Sequence, residues 1–205
     1  MRPRHPARLD QPALGPRNAL SRTISPVAPP DGARRQDCRV KIDPDLQLAI
    51  ERVIHLDAWF LDERRFEEWL ALFTEDVTFW VPAWTGEEML SRDPETELAL
   101  IYIRGKEGLD DRVFRIGTRD SYASLPMPRS CHVVGNVLIL SAEESEVEAV
   151  ASWTVHQYAT LKGARVHGGR YRYRLRLEDG EWRIAAKTII FLNDGVDVAL
   201  DIYNV

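Results

Sequence analysis

The chain has 205 residues, of which 44% are hydrophobic and 29% charged, as is typical of one globular domain with a buried core. There are 27 Lys and Arg against 32 Asp and Glu, and residues 1–40 hold eight of these basic residues but only three of the acidic ones. The net charge of −5 therefore divides into +5 for the first 40 residues and −10 for the rest.

These numbers exclude several classes of protein. No stretch approaches the ~20 apolar residues of a membrane span, and the N-terminus lacks the apolar region of a secretory signal. Two cysteines cannot form a disulfide scaffold, and the five histidines lack zinc-ligand spacing. An acidic body argues against nucleic acid as the main partner. We expect a cytoplasmic protein with no membrane or nucleic-acid partner.

Residues 1–40 are predicted to be a disordered tail that precedes a single domain at 41–205. Seven of the 12 prolines lie in this tail, and large apolar residues are few there. Such a composition cannot offset the entropy of ordering by burying apolar surface. The tail could be an extension or an over-extended start site, and an organellar transit peptide is the alternative.

Two helices are predicted at the start of the domain. Asp43 is a suitable N-cap and Pro44 suits the first helical position. Apolar residues then recur every three or four positions to about residue 61, which predicts an amphipathic helix. A shorter helix is expected at 66–73, with its aromatic side chains on one side.

The pattern then becomes typical of strands. Residues 77–81 predict a strand that stops at Pro82, because proline cannot donate to a central ladder. A second strand is predicted at 98–103 and a short helix at 106–116.

Four long β segments are predicted in the remainder, at about 131–141, 146–161, 170–178 and 182–192. Apolar and polar residues alternate clearly in the second and third, as in half-buried antiparallel strands, and 178–180 predicts the hairpin turn. Helices followed by long antiparallel strands indicate the α+β class. We expect a cystatin-like, or nuclear-transport-factor-2-like, cone in which a curved antiparallel sheet wraps the N-terminal helices.

Four segments in order resemble the small (beta) subunits of aromatic-ring-hydroxylating dioxygenases. Segment 61–82 (LDERRFEEWLALFTEDVTFWVP) resembles the family's LLD…RRF-x-EW-x-LF-x-ED-x-x-YW-x-P stretch. Segments 110–113 (DDRV) and 129–137 (RSCHVVGNV) resemble its DDR and SRT-x-RH-x-x-SNV stretches. Segment 180–193 (GEWRIAAKTIIFLN) resembles its G-x-W-x-IA-x-R-x-I-x-LD hairpin, with Lys and Asn in place of the usual Arg and Asp.

The resemblance implies a supporting role in aromatic compound catabolism. In this family the large (alpha) subunit carries a Rieske [2Fe–2S] cluster and a mononuclear Fe(II). The small subunit forms a trimeric base in an α3β3 assembly and is usually described as structural. The complex takes electrons from NAD(P)H through a reductase and adds both atoms of O2 to an arene.

The residues themselves also place the iron on another chain. A Rieske centre needs two cysteines, each close to a histidine, but Cys131 and His132 are adjacent and Cys38 has no histidine after it. A mononuclear iron site needs two histidines and a carboxylate, and the histidines here have no such motif spacing. We therefore expect no cofactor, metal or catalytic residue in this chain.

A free-standing dehydratase or isomerase of the same fold is the alternative. Its cavity would be lined by Asp57, which lies near the apolar stripe of the first helix, and by His132, His156 and Tyr158. The competing interpretation is that Asp57 is a satisfied buried acid and His156 a residue of the polar face.

Two sets of residues are candidates for subunit contacts. Four arginines on alternate positions of one strand share one sign in an acidic body, and arginine suits bidentate pairs with a partner's carboxylates. Trp80, Trp84 and the 126–129 loop with Arg129 are candidates for the large-subunit contact, because aromatic residues are enriched at interfaces. The four arginines are Arg170, Arg172, Arg174 and Arg176.

Overall fold

A computed structural model describes residues 42–118, 127–195 and 199–205 of the chain. The predicted tail at 1–40 lies outside the described residues, as does part of the 126–129 loop. None of the helices in the described ranges is long and apolar enough to cross a membrane.

Three helices precede or interrupt the sheet. Helix α1 spans Pro44–Asp62, and the Asp43 side chain caps it by accepting from the backbone N–H of Asp45. Helix α2 is only six residues long, Phe66–Ala71, and α3 spans Lys106–Gly117. The predicted end of α2 at residue 73 is wrong. Phe73 instead begins a strand, because its buried side chain belongs to the sheet core.

Eight strands and a terminal 3-10 turn complete the fold. The long C-terminal strands are confirmed, but the third begins at residue 163 rather than 170, after a turn through Gly163 at φ +79°. The strands are β1 Phe73–Pro82, β2 Trp84–Gly86, β3 Met89–Leu90, β4 Ala99–Arg104, β5 Arg129–Ala142, β6 Glu146–Ala159, β7 Gly163–Glu178 and β8 Glu181–Phe191; the 3-10 turn is Ile202–Asn204.

Six of the strands form one curved sheet in the order β4-β1-β8-β7-β6-β5. All neighbours are antiparallel except β1 and β8, which run parallel, so the sheet is mixed rather than fully antiparallel as predicted. The predicted β7–β8 hairpin turn is confirmed. Its two central residues, Asp179 and Gly180, both have positive φ, as a type I′ turn requires.

One face of the sheet, here called the inner face, packs against α1 and the C-terminal turn and forms the core. The opposite face is called the outer face. On β6 the inner positions at 147–155 are all buried, and on β7 Tyr171, Tyr173 and Leu175 are buried as the alternation predicts. Leu177, predicted to share that face, is partly exposed because it lies at the strand end. The α+β class and the wrapped-helix architecture are confirmed.

Candidate functional site

The centre of the core holds a buried ion pair. Asp57 lies on the buried stripe of α1, and Lys187 lies on the inner face of β8. Each is 1% exposed, and Lys187 Nζ lies 2.6 Å from Asp57 Oδ2. A buried charge is tolerated when it is paired and hydrogen-bonded, and this carboxylate has both kinds of partner.

Two further groups donate hydrogen bonds to the carboxylate of Asp57. The indole N–H of Trp69 donates to Oδ1 at 2.7 Å, and the Tyr173 hydroxyl donates to Oδ2 at 2.8 Å. Burial and the negative charge of Asp57 raise the pKa of Tyr173 well above 10.0, so its hydroxyl keeps the donated proton. The Lys187 ammonium also lies 4.4 Å from the ring centre of Tyr171, a cation–π contact. Asp57 is therefore a satisfied structural acid with no oxygen free for a substrate.

A second paired acid lies at the end of α1, and its partner is an imidazole. Asp62 accepts from the backbone N–H of His132 at 2.7 Å and contacts its ring Nδ1 at 2.7 Å. Burial raises the pKa of the Asp62 carboxyl, but the hydrogen bonds and charge of His132 outweigh this and hold the pKa below 3.8. Asp62 thus fixes the orientation of the His132 ring and ties α1 to β5.

The four residues of the dehydratase or isomerase alternative are not gathered in one cavity. Asp57 and His132 lie on the inner side, but each has its own partner within the chain. His156 and Tyr158 lie on the outer face of β6 and are exposed. Strand alternation explains the separation, because the neighbours Val155 and Gln157 occupy the inward positions.

The described residues also fit an iron site poorly. Cys131 is exposed on the outer face of β5, whereas the neighbouring His132 points inward, because successive strand residues face opposite sides. Within the described ranges, no group of three or more His, Cys, Asp or Glu side chains is placed to hold a metal ion. No step of an iron mechanism can be assigned to these residues.

The arginine row of β7 lies on the outer face, as its alternation predicts. Arg176 is paired within the chain, to Glu178 at 2.8 Å and to Asp76. The hydrogen bond from Arg176, with a second from Thr74, lowers the pKa of Asp76 to about 2. Arg170, Arg172 and Arg174 are exposed and have no ion pair with any described residue. The outer arginine row, Arg170, Arg172 and Arg174, thus differs from Arg176.

The other interface candidates are partly covered by their own chain. The Trp84 indole N–H donates to the carbonyl of Phe191 at 3.0 Å, and Trp80 is half-buried on the outer face of β1. The Arg129 guanidinium lies 5.0 Å from the ring centre of Tyr158. Their role in subunit contact stays a prediction.

The sequence did not lead us to the partners of two buried groups. These are Lys187, which pairs with Asp57, and Asp62, which pairs with His132. Lys187 lies two and four residues before Ile189 and Phe191, so it shares their inward face. The alternation of the strand therefore predicts that the lysine side chain points inward. An inward lysine requires a buried acid, and Asp57 on the apolar stripe of α1 was the available one.

Comparison with known proteins agrees with this geometry. The family described as "Ring hydroxylating beta subunit" matches residues 56–197. Benzoate 1,2-dioxygenase subunit beta from Acinetobacter baylyi is 30% identical over 156 residues, covering 76% of this chain and 92% of that protein. The 2-halobenzoate 1,2-dioxygenase small subunit from Burkholderia cepacia is 34% identical over 158 residues, covering 77% and 95%.

A solved structure shows the same arrangement. The beta subunit of the benzoate 1,2-dioxygenase from Burkholderia mallei superposes with a TM-score of 0.64 at 28% identity, covering 80% of this chain and 99% of that one. Family match, relatives and fold agree over most of the helix-and-sheet unit. The chain belongs to the ring-hydroxylating beta, or small, subunits of aromatic dioxygenases.

Proposed function

We propose that this chain is the non-catalytic structural subunit of its dioxygenase and forms a trimeric base that carries the large subunits in an α3β3 complex. The observation that supports this most is the contrast between its two faces. Inside, the carboxylate of Asp57 is fully satisfied within the chain. Outside, Arg170, Arg172 and Arg174 form no ion pair with a described residue, although Glu148 of β6 lies opposite Arg174.

The iron and the electron path belong to the partner in this proposal. The large subunit holds the Rieske cluster and the mononuclear iron, and electrons reach it from NAD(P)H through a reductase. The opposite orientations of Cys131 and His132 support this division, because the two cannot bind one metal ion together. The whole complex would work in the cytoplasm.

An arene with a carboxylate group is the substrate class that the relatives favour. The relatives include small subunits of benzoate and 2-halobenzoate dioxygenases. We extend this class to the complex that contains the present chain.

The outer arginine row is the proposed contact with carboxylates of a neighbouring subunit. Three guanidinium groups on alternate positions repel one another, and Glu148, which lies opposite Arg174 on β6, forms no ion pair with it. Arginine pairs bidentately with carboxylates, so a partner with matching acids would gain both affinity and register. Trp80, Trp84 and Arg129 are the proposed flanking contacts.

Co-expression tests the proposal. The full chain is produced alone and together with a large subunit that carries a Cys-x-His…Cys-x-x-His motif, and native mass and iron content are measured. We expect a hexamer whose iron and sulfide track the large subunit, and an iron-free trimer when the chain is alone. A lone oligomer that ignores the large subunit would contradict the proposal.

The non-catalytic role has its own test. His156→Ala and Tyr158→Phe change two exposed outer-face residues of the dehydratase or isomerase alternative. We expect the reconstituted complex to keep its kcat for arene oxidation with either variant. A loss of more than about tenfold with unchanged assembly would show that this chain contributes to the chemistry.

A further inference from the structure

The two edge strands of the sheet differ in how much edge they offer to another chain. The edge strands are β4 and β5, and β4 is only 6 residues long. Strand β5 has 14 residues, and Val133 and Leu138 on its outer face are 56% and 55% exposed. A long edge with exposed apolar side chains is a template for pairing with a strand of another chain, unless something blocks it.

The backbone of β5 at His132 points toward the free edge. His132 lies opposite Val155 of β6, but its N–H donates at 2.7 Å to Oδ2 of Asp62, which belongs to α1. Backbone direction alternates along an antiparallel strand, so the N–H groups of Ser130 and Val134 also point to the free edge. The Asp62 carboxylate therefore occupies the place that a carbonyl of an added strand would take.

Two more side chains contact the same edge. The Gln47 amide, in the first turn of α1, donates to the carbonyl of Val137 at 3.2 Å. The Arg64 guanidinium, just beyond the end of α1, donates to the carbonyls of Met127 and Pro128 at 3.4 and 3.3 Å, on the segment that leads into β5. Helix α1 therefore runs along β5 in the opposite direction. The three side chains are called here the edge cap: Gln47, Asp62 and Arg64.

The spacing of the contacts leaves little free edge for a new strand. Four residues separate the contacts at His132 and Val137, whereas strands of globular proteins usually have about five or six. A bulge after Gly135, where Asn136 has φ +53°, interrupts even this interval. Bulges twist an edge away from a flat partner, so the bulge and the edge cap act in the same direction.

The backbone conformation of Arg64 is a second sign that its side chain has a role. Arg64 has φ +57°, in the left-handed region where glycine is usual after a helix. Any side chain is strained there relative to glycine. Glycine would suit the turn, but it could not reach the carbonyls of Met127 and Pro128.

We propose that the edge cap keeps β5 from pairing with the β5 strand of a second copy of this chain. Without it, two β5 edges would pair antiparallel about a two-fold axis, because each offers the same row of donors and acceptors. Such pairing differs from the trimer and the large-subunit contact proposed above, and would compete with them. The edge cap thus restricts the ways in which the chain can associate.

The test measures the native mass of the isolated full chain across about a hundredfold range of concentration. Asp62→Ala/Arg64→Gly removes two members of the edge cap, and its glycine suits φ +57° and so offsets part of the lost stability. We expect species of at least about twice the wild-type mass, in which the amides of Ser130 and Val134 become protected from hydrogen exchange. The wild type should show no such species.

Two further variants distinguish edge pairing from a general loss of stability. Val134→Pro, added to Asp62→Ala/Arg64→Gly, removes an N–H that faces the free edge and should restore the wild-type mass, because proline at such a position blocks strand addition. Trp69→Phe weakens the core through its contact with Asp57 and leaves the edge cap intact, so it should keep the wild-type mass.

Three results would overturn the proposal. These are a folded Asp62→Ala/Arg64→Gly variant that keeps the wild-type mass, association that Val134→Pro does not reverse, and equal association of Trp69→Phe. If Asp62→Ala/Arg64→Gly fails to fold, Gln47→Leu repeats the test at the other end of the cap, where an unchanged mass would equally contradict the proposal. Because each mass is compared with that of the wild-type chain, the result does not depend on the oligomer proposed above.

Discussion

The inner and outer faces of β7 are formed by alternating residues of one strand, yet they differ in whether their charged groups are paired within the chain. On the inner face, Tyr173 donates to Asp57, whose charge is balanced by Lys187. On the outer face, Arg172 and Arg174 are exposed and have no ion pair in the described chain. The charged groups of the inner face are paired within the chain, whereas the outer arginines are proposed to pair with another chain.

This difference separates folding from assembly. A charge buried in low dielectric must find its partner in the same chain for the domain to fold. An exposed guanidinium is stable in water alone, so it can be kept for a neighbour at little cost to folding. Substitutions on the two faces should therefore affect different measurements.

The largest effect is expected from breaking the inner pair. Lys187→Met leaves the Asp57 carboxylate buried without a cation, and we expect it to lower the free energy of unfolding by about 3–5 kcal/mol, measured by urea denaturation. Lys106→Met, which removes a surface pair with Glu75, should cost less than about 1 kcal/mol.

The double variant sharpens this result. Asp57→Leu with Lys187→Met removes both charges together, so part of the lost stability should return even though Trp69 and Tyr173 lose their acceptor. Strictly additive losses in the double variant would mean that the two side chains do not act as a pair.

A smaller effect is expected from the donor to the other oxygen of Asp57. Trp69→Phe removes the indole N–H that lies 2.7 Å from Oδ1, and should lower the free energy of unfolding by about 1–3 kcal/mol. The control is Trp59→Phe on α1, whose side chain is 55% exposed and which should change stability by less than about 0.5 kcal/mol. If thermal or urea unfolding shows equal losses of stability for the two variants, the hydrogen bond from Trp69 to Asp57 does not contribute specially to stability.

The smallest stability effect distinguishes two arginines on the outer face of β7. The pKa of Asp76 is lowered from 3.8 to about 2 beside Arg176, so the pair adds stability above about pH 4 that is lost as the pH falls toward 2. Because Asp76 is largely exposed, Arg176→Gln should cost at most about 1 kcal/mol at neutral pH and flatten that acid dependence. Arg172→Gln should change neither in urea titrations between pH 2 and 7, and equal profiles would contradict the distinction.

Much of the fold followed from periodicity, and the errors occurred where tertiary pairing decides. The alternation of buried and exposed residues along β6 and β7 predicted both faces correctly. The end of α2 was misplaced because Phe73 fits a helical stripe locally, but its backbone pairs with Ile184 of β8. The early start of β7 was missed because the residues before Arg170 alternate weakly, and those from 163 to 168 have ladder partners only on β6.

The candidate site was predictable only in part. Asp57 was identified from its place on the apolar stripe, and one of the two interpretations considered, a satisfied buried acid, is what the structure has. Its partners Trp69, Tyr173 and Lys187 come from distant parts of the chain, and no spacing rule links them. The alternation along β6 already predicted His156 on the polar face, but the inward side of His132 was known only from its pairing with Val155.

The proposed subunit contact of the outer arginines is tested most directly by a native mass. The complex to measure is the one that the variant Arg172→Glu/Arg174→Glu forms with the wild-type large subunit. Arg115→Glu on α3 is the matched exposed control. We expect the double reversal to leave the unfolding midpoint of the isolated chain almost unchanged but to break the complex into smaller species, whereas Arg115→Glu should form the complete complex. A double-reversal variant that assembles fully would contradict the proposed contact.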